Sequence, residues 1–308
     1  MTDSKKIAVG HLTALFTILI WGTTFISTKF LLTDFTPFEI LFFRFTIGYF
    51  FLLAVYPHFI KSGSIREELL FAAAGLCGVT LYYLLENIAL TFTLASNVGV
   101  IVSVAPFFTA VLAHFLLRNE PLRPQFFVGF TVAIIGILLI DFNGSFVLKL
   151  NPLGDILAVL ASVCWAVYTI LMRKISGLGH PTIGCTRRIF FYGLVFMLPV
   201  LLLSGFHPGF NRFTKAADLL NILFLGLCAS ALCFVTWNWS VRILGAVRTS
   251  AYIYIVPVIT VAAAYLILHE NITGAAVLGA LLTLSGLFLS ERKPKERTNL
   301  EEGISHEA

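Results

Sequence analysis

What this chain lacks is charge. Of its 308 residues only 12% are Asp, Glu, Lys or Arg, whereas 58% are hydrophobic and the mean hydropathy is +0.92. A soluble domain carries about 25% charge, and half of that cannot coat a water-soluble globule, which excludes a soluble enzyme and a large extramembrane domain. Cysteine is sparse too. Cys77, Cys164, Cys185, Cys228 and Cys233 fall inside apolar stretches with no CxxC spacing, so neither a disulfide framework nor a thiolate metal cluster is expected. They read as small apolar residues. His11, His58, His114, His180, His207, His269 and His306 are scattered, with no HxxxH or HExxH pair, and no Gly-rich phosphate loop occurs. Nothing here asks for a metal, a cofactor or ATP. The formal charge of +5 comes from 21 Lys and Arg against 16 Asp and Glu, but the cations sit between apolar runs rather than on one face, which argues against nucleic acid as a partner.

What is present is apolar sequence in long runs. A bilayer-spanning helix takes about 20 apolar residues, and polar or turn-rich breaks separate ten segments: roughly residues 9–32, 37–59, 69–91, 96–117, 124–140, 152–172, 180–203, 219–241, 249–268 and 273–290. Runs such as FVGFTVAIIGILLI are continuous, without the alternation that barrel strands show. The basic start is signal-peptide-like, yet its apolar run continues with no clear small-residue cleavage site, so it reads as a retained first span. The expected architecture is an all-α membrane protein of ten transmembrane helices. With the N-terminus inside, fourteen Lys and Arg, from Lys5 and Lys6 to Arg297, fall in inside stretches, against Lys149, Arg212 and Lys215 outside. Short loops rich in cations stay cytoplasmic, so both termini are expected in the cytoplasm of a cell inner or plasma membrane, with residues 291–308 a charged, disordered tail.

The chain also repeats itself. WGTTFISTK from Trp21 lies opposite WAVYTILMR from Trp165, and the same offset of 144 sets Pro37 against Pro181 and Arg44 against Arg188. An offset of 151 brings Asn87 onto Asn238, Ala95 onto Ala246 and Pro106 onto Pro257; after a one-residue gap Glu120 meets Glu270, Gly129 meets Gly279 and Gly136 meets Gly286. This divides the chain into a short N-terminus (1–8), one five-helix repeat (9–141), a linker (142–151) and a second repeat (152–290). Five being odd, the second half enters the membrane inverted, the architecture of secondary transporters whose site lies between the repeats.

Two five-helix halves, each opening on a Trp-containing span and closing on a Pro-containing span, a Glu-bearing loop (FLLRNEPL, LILHENIT) and a Gly-rich helix, resemble the EamA family of the drug/metabolite transporter superfamily. The resemblance spans about residues 10–290. It implies a ten-helix exporter of amino acids or related small metabolites working by alternating access, with a cavity lined by spans 1, 3, 4, 6, 8 and 9. Glu120 and Glu270 match the family's loop acid, although a hairpin or helix-end role fits both better than transport chemistry.

Few polar groups lie within the spans, and those that do need a cavity or a partner. Tyr82, Tyr83 and Glu86 share one helical stripe with Asn87 beside it, so Glu86 reads as a proton carrier or a counter-charge for an ammonium group; the competing reading is a buried acid held by Arg44. Trp21 with Thr24 and Trp165 with Tyr168 sit at mid-helix on symmetry-related spans, an aromatic wall with hydroxyls rather than an interfacial belt. Trp237 and Asn238 occupy the corresponding eighth span, where an amide suits a zwitterion or a helix-to-helix bond. Ser103 and Tyr252 are further lining candidates, and Pro106 and Pro257 are candidate hinges, or static kinks. Asn97 and Thr249 read as N-caps, and Lys29 and Arg173 as cations at helix C-termini. The partners expected are the bilayer, a small-molecule substrate and a coupling proton. A nucleotide-sugar or organophosphate exchanger is the alternative, though it would ask for more cations at mid-depth, and a polytopic membrane enzyme lacks a catalytic constellation.

Overall fold

The computed structural model describes residues 3–93, 95–117, 124–142, 151–203, 210–268 and 273–291. Among them every regular element is helical. Helix α1 is Asp3–Leu31 and α2 is Pro37–Val55. A 28-residue α3, Ile65–Phe92, contains a π-helical stretch, Leu76–Leu81. Helix α4 comes in two pieces, Ala95–Val102 and Ala105–Leu116, followed by α5, Pro124–Phe142. The second half repeats this pattern. Helices α6 (Pro152–Ser176) and α7 (Thr182–Leu203) precede a 29-residue α8, Ala216–Leu244, whose π-helical stretch is Phe224–Leu232. Helix α9 is again broken, with Ala246–Ala251 and Val256–Leu268 joined by a 3-10 turn, Tyr252–Ile255, and α10 is Gly274–Glu291. Seven of these helices are long and apolar enough to cross a membrane; 124–140, 246–260 and 277–290 are shorter apolar helices.

Local chemistry sets the boundaries. Thr36 and Glu39 form a capping box at the start of α2, and Ser64 caps α3, which therefore begins before the apolar run at residue 69. Helix α1 begins at Asp3 rather than residue 9, because its polar first turns continue the helical register outside the apolar segment. Helix α2 stops at Val55, short of residue 59. Gly245, at φ +94°, permits the sharp turn from α8 into α9 that a side chain would strain.

The two halves are inverted copies. Glycines let α5 and α10 meet backbone to backbone: a Cβ on Gly136 would stand 2.5 Å from the Gly279 carbonyl oxygen, and one on Gly129 would stand 2.5 Å from that of Gly286. These pairings make the two helices antiparallel, and the repeat exchanges one pairing for the other, as a pseudo-twofold axis requires. Close approach through small residues is how helices associate where lipid supplies no hydrophobic drive. The remaining packing is reciprocal between the halves. Helix α1 runs antiparallel to α8, with Thr13 bonded to Ser240 (2.8 Å) and Thr17 to Thr236 (2.6 Å), while α6 lies against α3, where the Tyr168 ring covers Gly78.

The structure also shifts two expectations about α4 and α9. Pro106 and Pro257 do not open a gap in a running helix. Each stands in the first turn after a break, at Ser103–Val104 in α4 and Tyr252–Ile255 in α9, where a missing N–H forfeits no bond. Thr249 does not cap; its hydroxyl donates to the Gly245 carbonyl of its own helix (2.8 Å). The side chain of Asn97, the loop acids Glu120 and Glu270, residues 143–150 of the linker and the tail from 292 lie outside the described residues.

Candidate functional site

Where the inverted halves meet, α1, α3, α4, α6 and α9 line a pocket with a cavity volume of about 30 Å³, room for little more than a water molecule in this conformation. Its walls are aromatic. Trp21 and Trp165 stand edge to face at 5.1 Å, Tyr82 packs on Trp165 at 4.9 Å, and Tyr83 meets Tyr82 at 4.7 Å. Behind them Phe234 of α8 touches the rings of Trp21, Phe45, Tyr83, Trp165, Tyr168 and Phe190, forming a rigid floor. Thr24 and Glu86 are the polar lining groups apart from ring heteroatoms, and Glu86 is the one charged residue in the described lining.

Glu86 is 4% exposed, and its Oε2 has no hydrogen-bond partner among the described residues. The Trp165 indole N–H, on the same cavity, also lacks one. An unpaired acceptor and an unpaired donor thus share one apolar chamber. Arg44 does not hold the acid in an ion pair. Its Nε donates to the Ser230 hydroxyl (2.9 Å), and its guanidinium lies 4.2 Å from the centre of the Tyr83 ring. Trp21 is fixed by its own N–H, which donates to the Ala229 carbonyl (2.9 Å), and the Thr24 hydroxyl donates to Trp21 O (2.7 Å).

Of the residues singled out from sequence, the structure gathers Trp21, Thr24, Tyr82, Tyr83, Glu86 and Trp165 around this chamber. The others lie beside it. Tyr168 donates to Asn238 Oδ1 (2.6 Å), whose amide donates to Thr186 (3.0 Å), a fully buried chain joining α6, α8 and α7. Trp237 packs 5.1 Å from Trp21 on the far side of the wall. Asn87 donates to Pro37 O (3.2 Å), Ser103 to Gly99 O (2.7 Å), and the Tyr252 hydroxyl pairs with His11 Nδ1 (2.7 Å). A search for polar residues overlooks Phe25, Val102, Ile253 and Val256, which complete the lining; Val102 and Val256 flank the breaks of α4 and α9 and Ile253 falls within the latter.

Charges bind the halves together at both ends of the bundle. At one end Arg212 pairs with Glu39 and Lys215 with Asp34 (2.7 Å), and Lys215 holds the partly exposed Asp34 carboxyl below its ordinary range. At the other, His180 meets Glu67 and Arg188 meets Glu68. Lys29 and Arg173 cap C-termini, though not their own. Lys29 donates to Leu90 O of α3 (2.5 Å) and Arg173 to Val241 O of α8 (3.3 Å), and these two carbonyls correspond under the repeat.

A multi-pass helical protein with two inverted halves closing on a central chamber belongs to the class of membrane transporters. The comparisons narrow that class. The EamA-like transporter family matches residues 8–142 and again 152–292, and the chain belongs to that family. An uncharacterized transporter of Archaeoglobus fulgidus is 30% identical over 290 residues, covering 92% of this chain and 97% of the relative. A protein of Streptantibioticus cattleyicolor named a probable terminal-alkyne amino-acid exporter is 28% identical over 245 residues, 78% of this chain and 79% of its own. A solved crystal structure superposes with a TM-score of 0.72 at 20% identity, over 94% of this chain and 97% of that one, and shares the fold.

Proposed function

We propose that this protein exports amino acids or closely related amino-bearing metabolites by alternating access, and that the central chamber is where they bind. The observation carrying this reading is that the unpartnered Glu86 Oε2 and the unpartnered Trp165 N–H, an acceptor for an ammonium group and a donor for a carboxylate, belong to residues lining one aromatic pocket. Aromatic faces favour cations, and a water-poor chamber strengthens every such contact. A phosphorylated substrate would meet Glu86 and, in the described lining, no Lys or Arg. The Streptantibioticus relative's name points the same way.

In this reading the seven long helices and the three shorter apolar ones make ten crossings in two repeats, 9–141 and 152–290, with both termini in the cytoplasm. Substrate approaches Glu86 from one side, the ion pairs at that end re-form behind it, and those at the opposite end part. Because the halves are inverted copies, the conformation of one is available to the other, and the exchange of conformations turns the chamber from one face to the other. Trp21, Tyr82, Tyr83 and Trp165 orient the ligand, Thr24 adds a hydroxyl, and a proton on Glu86 competes with the ammonium group, which couples export to a pH gradient. Tyr168, Trp237, Asn238, Asn87, Ser103 and Tyr252 hold the wall in place, and the breaks before Pro106 and Pro257 bend.

Counterflow in proteoliposomes tests this. Vesicles preloaded with amino acids, and not those preloaded with polyamines or nucleotide sugars, should accumulate labelled amino acid through the wild type, and much more slowly, without response to a pH gradient, through Glu86→Gln. Exchange confined to nucleotide sugars would replace the substrate class, and unchanged coupling in Glu86→Gln would remove the proton role.

A further inference from the structure

A second and larger recess, about 250 Å³, lies away from the chamber, between the C-terminal end of α2, the start of α3 and the start of α7. Arg187, Arg188, Glu68, Tyr49, Phe59 and Phe191 line it. We propose that this recess binds the headgroup of an anionic phospholipid, with one acyl chain lying along Tyr49 and Phe191.

The charge is built in, and it is held by backbone. Arg187 is 4% exposed and donates to Tyr56 O and to His58 O (2.7 Å), while Arg188 donates to Ile60 O (2.6 Å) and to the Glu68 carboxylate. Neutral carbonyls fix both guanidiniums and leave their charge in place, and Glu68 offsets only one of the two. Lys61, next in sequence to the lining residue Ile60, and Arg66, two residues before Glu68, are both exposed and add positive charge to these segments, while Glu67 is occupied by His180. Gly184, in the first turn of α7, also lines the recess, so the N-terminus of a 22-residue helix contributes the same sign. A Cβ at Gly184 would stand 2.8 Å from Ile60, which is why the segment after α2 can close against this turn.

The mouth is apolar and faces outward. Phe191 is 47% exposed and Phe50 60% exposed, and the Tyr49 and Phe191 rings lie 6.4 Å apart. Such a surface on the outside of a membrane bundle meets acyl chains. A cationic pocket opening sideways onto an apolar face therefore matches a lipid, whose phosphate and chains arrive together; a free phosphate would use only half of it. Arg187, Lys61 and Arg66 also stand at the cation-rich end of the bundle, with Arg173 and Arg242, and the leaflet such an end faces is the anionic one.

Native mass spectrometry of the full chain in detergent, titrated with phosphatidylglycerol or phosphatidylcholine of matched chains, tests this. The wild type should retain one phosphatidylglycerol with roughly fivefold or greater preference, the effect of one net cation at a membrane surface. Arg187→Gln should abolish the preference and Arg187→Lys should restore it. Phosphatidylglycerol carrying a photoreactive chain should label peptides of α2 or α7 in the wild type, a result that needs no variant to fold. Equal retention of both lipids, labelling elsewhere, loss of the preference in Arg187→Lys as well as Arg187→Gln, or displacement of the bound lipid by inorganic phosphate would overturn the proposal.

Discussion

The two halves of this protein differ most where they correspond. Under the repeat Tyr83 falls on Phe234 and Glu86 on Trp237, so one half presents an acid to the chamber where the other supplies a ring to its back wall. Arg44 and Arg188 likewise correspond, yet Arg44 is 1% exposed on Ser230 and Tyr83, while Arg188 sits partly exposed on Glu68 at the end of the bundle. The features that repeat faithfully are mechanical: the π-helical stretches in α3 and α8, the breaks in α4 and α9, the glycines of α5 and α10, and the cations capping Leu90 and Val241. In the proposed mechanism, the symmetric features serve movement and the asymmetric ones serve recognition.

The largest expected effect tests the asymmetric pair. Glu86→Gln should slow counterflow of an amino acid at least tenfold, since losing one partner of a buried charged contact costs about 2–5 kcal/mol, whereas Trp237→Phe should retain most activity. If the two variants proved equally harmful, the division between a recognising half and a supporting half would fail. Next come the glycines. Gly136→Val and Gly279→Val each drive methyl groups into opposing backbone and should destabilise by about 1–3 kcal/mol or more, lowering the thermal unfolding midpoint in micelles by similar amounts; a large effect at one site alone would contradict the pseudo-twofold contact.

The helix caps should matter less. Lys29→Gln and Arg173→Gln each remove a cation from a helix C-terminus, about 0.3–1 kcal/mol apiece, read as matching small falls in the same midpoint. The smallest effect concerns Asp34 at one end. Its carboxyl lies below the ordinary range because Lys215 donates to it, so its contribution is present above the unfolded-state value and fades as pH falls through the lower folded-state value. Asp34→Asn should flatten the acid limb of the stability profile and leave neutral pH almost unchanged; an unaltered acid limb would show that the pair stabilises nothing.

The helical repeats were legible in the sequence because continuous apolar runs and recurring Trp, Pro, Asn and Gly survive any rearrangement of neighbours. The stripe of Tyr82, Tyr83 and Glu86 was legible for a similar reason, since Tyr82–Phe92 is regular α-helix and one turn of spacing decides which side chains share a face. Other features were hidden. The π-helical stretch at Leu76–Leu81 changes the angular phase between the two ends of α3, and no composition signal marks it. The partners of Lys29 and Arg173 are carbonyls, which sequence does not distinguish.

By itself, then, the sequence determined an all-helical membrane protein in two related halves, and an acid placed among aromatics, because hydropathy and helical period are properties of a single segment. Only the tertiary structure decided that Arg44 turns to Ser230 instead of Glu86, that Asn238 ties Tyr168 to Thr186, and that Phe25, Val102, Ile253 and Val256 close the chamber. A helix's own period says which face is buried. Which other helix that face meets depends on interlocking backbones at Gly129, Gly136, Gly279 and Gly286 and on the breaks in α4 and α9, and those exist only once both halves have packed.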